Sequence, residues 1–174
     1  MSKCCPSAKL SWHFPRLERG IVQAASLTIP FRLIAKKMGY RELVDYDKAG
    51  VVYPYNTITT LQQTPSKNPD LAERLLKTII EAIFVSKTEK EKSLAVLKKY
   101  MKGTPDEILE ETYQYSKNVA EEVPTPSLEI VKAALEILSY QYPQAKGTDP
   151  NPIIDTSIMK RIEQSGFLKT IYKK

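Results

Sequence analysis

Residues 20–46 read GIVQAASLTIPFRLIAKKMGYRELVDY. Their first part, Ile21 to Leu27, is short, apolar and bounded by Gly20 and Pro30, which is the pattern of a buried strand. Thr28 stands where it can cap a helix from about Pro30 to Met38, and Gly39 stops that helix. Leu33, Ile34 and Met38 follow helical spacing within it. Arg41 to Tyr46 is a second short segment, with Leu43 and Val44 expected to point inward. A lone parallel strand cannot satisfy its backbone groups. The strand therefore calls for partner strands upstream of Gly20, whereas residues 1–19 read as an irregular leader broken by Pro6 and Pro15.

Downstream, VVYPYNTITTL (51–61) is rich in β-branched and aromatic residues and reads as extended. Pro54 rules out an unbroken central strand there and suggests a crossover or an edge. After Pro65 the pattern turns helical. Asn68 and Pro69 open a helix to about Val85, with Leu71, Leu75, Leu76, Ile79, Ile80 and Ile83 as its apolar stripe. Thr88 and Glu91 have the spacing of a capping box for the next helix, whose expected buried face is Leu94, Leu97, Tyr100 and Met101, and which Gly103 ends. Thr104 and Pro105 start another helix to about Asn118, and Thr125 caps one carrying Leu128, Val131, Leu135 and Leu138. A last helix runs from about Ser157 to Gln164; Ser165 and Gly166 stop it, and Phe167, Leu168 and Ile171 tuck back. The segments divide as a leader (1–19), a part holding the strand and crossover (20–56), and a helical part (57–174).

The chain of 174 residues is 42% hydrophobic and 26% charged, a globular composition. Its net charge of +6 favours solubility, but the lysines are scattered and do not form a nucleic-acid surface. Cys4 and Cys5 are adjacent, so neither a disulfide framework nor a cysteine-based metal site is expected. No apolar run approaches the roughly 18–20 residues of a membrane span, and Met1 to Leu10 lacks the apolar core of a secretory signal. The single histidine, His13, has no carboxylate or cysteine at catalytic spacing. No phosphate-cradling, nucleophile-elbow or zinc-protease motif occurs. These absences argue against an enzyme, and no cofactor or metal is expected. Tyrosines are conspicuous; Tyr113 and Tyr140 read as packing at the core boundary, while Tyr53 and Tyr55 flank Pro54 where a ligand role is more plausible.

The segment 20–46 resembles solute-binding proteins of the nitrate/sulfonate/taurine type that serve ABC transporters. Gly20, Val22, Ala24, Ala25, Pro30, Lys37, Gly39, Tyr40, Leu43 and Asp45 carry the resemblance, while Gln23 stands where that family usually has aspartate. YPYNTITT (53–60), NPDLAERLLKTIIEAI (68–83), PTPSLEIVKAALEIL (124–138) and DTSIMKRIEQSGF (155–167) are similar to later segments of the same family. The resemblance implies the carboxy-terminal part of a two-lobed α/β fold of the periplasmic-binding-protein type II class, mostly helical here with few strands. It implies capture of a small anionic or heterocyclic ligand between lobes for a permease partner, in the periplasm or at the cell surface. It further implies that the first lobe's opening strands would precede Gly20. The matching cleft positions are Ser26 and Thr28 at the strand end, and Tyr53, Tyr55 and Asn56 at the crossover. A helix starting near Pro30 would aim its first amides at an anion, although Thr28 is equally placed simply to cap it. Two other readings compete. One is an independent helical interaction protein built from the helices after Pro65. The other is a relative of thiamine-pyrimidine enzymes, which use His, Lys and Cys chemistry that this chain lacks.

Overall fold

The computed structural model describes residues 10–51 and 56–173. Every regular element among them is a helix: α1 (Leu10–Glu18), α2 (Phe31–Lys37), α3 (Thr64–Lys67), α4 (Pro69–Thr88), α5 (Lys90–Tyr100), α6 (Asp106–Val119), α7 (Leu128–Ser139), α8 (Ser157–Gln164) and α9 (Phe167–Tyr172). Single 3-10 turns at Pro143–Ala145 and Asn151–Ile153 join α7 to α8. The expected α/β fold, the carboxy-terminal part of a two-lobed binding protein, is therefore corrected: no strand or sheet occurs among the described residues.

The strand expected at Ile21 to Leu27 is an irregular segment in which Ile21, Gln23, Ala24 and Ser26 are exposed. Instead of a ladder, the amides of Ile21 and Val22 reach back to the Arg16 carbonyl at the end of α1, at 2.9 and 3.4 Å. Apolar composition alone does not make a strand; the backbone needs a neighbouring strand to bond with, and here α1 supplies the bonds instead. Arg41 to Tyr46 is likewise irregular, and Leu43 and Val44 point out, 77% and 56% exposed. Val51 and residues 56–61 form no strand either.

The chain divides into two compact units. The first comprises residues up to Asp45 together with Lys90–Val119. Its buried apolar residues are Phe14, Ala35, Ile108, Leu109 and Tyr113. The Phe14 and Phe31 rings stack with centroids 5.6 Å apart, joining α1 to α2. α6 packs against both α5 and α2. Its inward face holds Ile108 with Thr112 and Leu109 with Tyr113, pairs one helical turn apart. The Thr112 hydroxyl, although buried, donates to the Ile108 carbonyl at 2.6 Å and leaves no orphaned polar group.

The second unit comprises Tyr46–Glu89 and Ala120–Lys174. Ile80 of α4 packs with Ile158, Met159 and Ile162 of α8, flanked by Ala72, Leu76, Phe167 and Leu168. The stripe read along α4 is thus split. Leu76 and Ile80 face the core, while Leu71 and Leu75 are 59% and 46% exposed. Around this core Glu73 bridges Lys77 (2.8 Å) and Arg161 (2.7 Å), and the Tyr172 hydroxyl donates to the Glu122 carbonyl at 2.9 Å.

Helix boundaries follow local chemistry closely. α2 ends in a Schellman turn: the Tyr40 amide bonds the Ala35 carbonyl at 3.0 Å, the Gly39 amide bonds Lys36 at 3.1 Å, and Gly39 takes φ +87°. That left-handed conformation strains any side-chain-bearing residue, so glycine stops the helix as expected. α7 is capped by Ser127, whose hydroxyl accepts from the Ile130 amide at 3.2 Å, rather than by Thr125. Thr88 does not box α5. It is the last residue of α4, and its hydroxyl donates to the Phe84 carbonyl at 2.8 Å.

Candidate functional site

The first unit contains an open concavity of about 330 Å3. One side is built from the α2 segment and the chain that follows it: Ile29, Arg32, Leu33, Lys36 and Glu42. The other is the outer face of α6: Glu110, Glu111, Gln114 and Tyr115. The α6 residues come together because their spacings of three and four bring them to one side of a helix. The same periodicity sends Ile108, Leu109 and Tyr113 into the core.

Ion pairs fix the walls. Arg32 Nε lies 2.7 Å from Glu42, and its Nη2 lies 2.5 Å from Asp45. Burial opposes the Arg32 charge, but the hydrogen bonds to Asp45 and Glu42 outweigh it and hold the guanidinium pKa above its ordinary value. This clamp ties the irregular 41–45 segment to α2. Lys37 reaches α6, bonding Glu107 and lying 3.6 Å from Glu111. The bond to Glu107 is the main reason its pKa is raised. Glu110 accepts from Lys90 of α5 at 2.7 Å and from Gln114 at 2.8 Å, and the Lys90 bond chiefly holds its carboxyl below the usual range. Lys36 has no ion pair among the described residues.

The residues read from sequence as ligand positions distribute differently. Ser26 and Thr28 belong to the first unit, Ser26 exposed and Thr28 half-buried, and neither lines the concavity. Asn56 is exposed in the second unit. Tyr53 and Tyr55 lie outside the described residues. Thr28 does not cap α2 through its side chain: Pro30 holds the cap position, and it is the Thr28 carbonyl that accepts, from the Arg32 amide at 2.9 Å. The Ile34 amide is similarly taken by the Pro30 carbonyl at 3.1 Å. Two of the first amides are thus already bonded, and α2 spans only seven residues, which leaves little of the anion cradle expected at its start.

Sequence reading missed the concavity. Its α6 wall had a legible signal, since Glu107, Glu110, Glu111 and Gln114 repeat at three- and four-residue spacing. Its α2 wall had none, because nothing local says that Arg32 folds onto Glu42 and Asp45. Among the described residues, no three His, Cys, Asp or Glu side chains cluster as metal ligands, and no helix is long and apolar enough to cross a membrane. In comparisons with known proteins, the chain matches no protein family, no curated protein and no solved structure.

Proposed function

We propose that this chain captures a small solute without transforming it, as a binding component serving an ABC-type importer at the periplasmic side or the cell surface. One observation carries the reading. The stretch that resembles solute-binding proteins, residues 20–46, supplies the whole α2 side of the concavity, including Arg32, Leu33, Lys36 and Glu42. The site in this reading is that concavity and not a cleft between α/β lobes. Its volume of about 330 Å3 sits near the lower bound for small-molecule sites. Because it is open, binding is expected to be weak, with Kd on the order of 0.1–1 mM. Titration of labelled protein with small anions and heterocycles, followed by NMR shifts, tests the reading. Saturable shifts at residues 29–36 and 110–115 are expected. No saturable response up to about 10 mM would sink it.

A second reading, a helical interaction protein, is favoured by α7. Its sequence LEIVKAALEILS is mostly apolar, yet it buries no residue, and Leu128, Ile137 and Leu138 are 43%, 45% and 46% exposed. Ile137 and Leu138 adjoin the exposed Tyr140, and adjoining exposed apolar side chains are a usual mark of association. Sedimentation of the chain across a concentration series separates the readings. Self-association abolished by Leu138→Lys supports this one, and a monomer at every concentration counts against it.

A further inference from the structure

We propose that residues 57–61 are a strand-addition site, through which two copies of this chain pair antiparallel, segment to segment. Neither the concavity nor α7 takes part.

Sequence and backbone point the same way. Thr57, Ile58, Thr59 and Thr60 are consecutive β-branched residues, which crowd a helix and suit a pleated strand. They join no helix, and the Thr57 and Thr59 hydroxyls lie 3.5 Å apart, the side-by-side placement that a two-residue period gives. Residues 56–61 are all exposed, Ile58 by 51% and Leu61 by 69%. Among the described residues, the amides and carbonyls of 57–60 bond no protein group, and no strand occurs that could pair with them. The segment thus offers the open ladder groups of an edge strand, the feature that strand addition uses.

Charge decides which partner fits. Between Lys48 and Lys67 the sequence holds no charged residue, in a chain that is 26% charged. Edge strands that resist self-pairing carry lysines or prolines, and residues 56–61 have neither. An acidic or basic partner finds no counter-charge in the segment. A second copy meets no repulsion and brings the same open backbone groups. Two-fold pairing is also self-complementary: with Ile58 opposite the partner's Ile58, Thr57 faces the partner's Thr59, and threonine pairs favour such a ladder. So short a strand pair falls well below the roughly 1,200 Å2 that a stable interface buries, and a two-stranded sheet is marginal by itself. The pairing is therefore weak, with Kd on the order of 0.1–1 mM.

Sedimentation and amide-I infrared spectra of the full chain, over about 0.01–2 mM, test the proposal. A dimer is expected to grow in with concentration, together with a β-sheet band that the dilute helical chain lacks. Two variants in the segment block it. Ile58→Pro combined with Thr59→Pro removes one amide from each edge of the strand, and Ile58→Lys sets like charges opposite each other. Both lie on exposed backbone, so helical circular dichroism is expected to stay unchanged while dimer and band disappear, a loss of at least about tenfold in affinity. Leu138→Lys, on α7, is expected to leave dimer and band intact. A chain that shows no sheet band at the highest concentration overturns the proposal. So does association that survives the double proline variant, or that Leu138→Lys removes.

Discussion

Ile80, Ile108 and Ile162 are the largest side chains completely removed from solvent. Ile80 and Ile162 belong to one cluster with Ile158 and Met159. In so small a core, each contributes a large share of the stability of its unit. Truncating Ile80 to alanine removes buried methyl and methylene groups and leaves a cavity, a change that costs about 2–5 kcal/mol. Urea denaturation is expected to show that loss for Ile80→Ala, and little change for Leu71→Ala, because Leu71 is 59% exposed on the same helix α4. Equal losses at the two positions would contradict the placement of the α4 faces. Both residues are apolar members of one helical pattern, and only the position of α8 separates them.

Helix boundaries are decided within a few residues of themselves. The Asp155 carboxylate accepts from the Ser157 amide at 2.8 Å, just ahead of α8, and its pKa is lowered chiefly by bonding to Ser157. Asp155→Ala leaves that amide without its acceptor and is expected to destabilise the second unit by about 1 kcal/mol, the usual worth of such a cap, as read by thermal unfolding. Asp155→Asn retains an acceptor and is expected to recover most of the loss. Boundaries of this kind were legible: Asn68 with Pro69, Gly39, Gly103 and Ser165 with Gly166 all fall where a helix begins or ends. The capping assignments at Thr28, Thr88 and Thr125 were not. Each threonine lies beside a helix end, but the neighbouring Pro30, the continuation of α4, or Ser127 takes the position instead.

Charge pairing sets how the molecule as a whole responds to pH. Glu73 and Glu110 have carboxyl pKa values below the ordinary carboxylate value of about 4.3, chiefly through Lys77 and Lys90. Their contribution to stability is complete above the unfolded value and is lost as pH falls through the lower folded value. Lys37 and Lys90 are raised above the ordinary lysine value of about 10.4 by Glu107 and Glu110. Their contribution is complete below that value and is lost as pH rises through the higher folded one. The melting temperature is therefore expected to be flat from about pH 5 to 10 and to fall on both sides. Because these pairs are solvent-exposed, added salt should shrink the difference between the plateau and the limbs. Melting curves across pH at low and high salt check this, and a maximum outside the window would contradict the pairing.

The sequence by itself determined where most helices start and stop, because caps, prolines and glycines act on backbone groups only a few residues away. It also determined that α4 carries an apolar stripe. Tertiary structure alone decided that the apolar stretch at Ile21 to Leu27 is no strand, since a strand exists only if another pairs with it and here α1 supplies the bonds. It decided which residues of α4 face inward, because an apolar helix offers more than one face to a neighbour. It decided too that Arg32 is held by Asp45, thirteen residues away, and that Lys36 is left without such a partner among the described residues. Pairings across that distance depend on how the chain turns between them, and no local pattern encodes the turn.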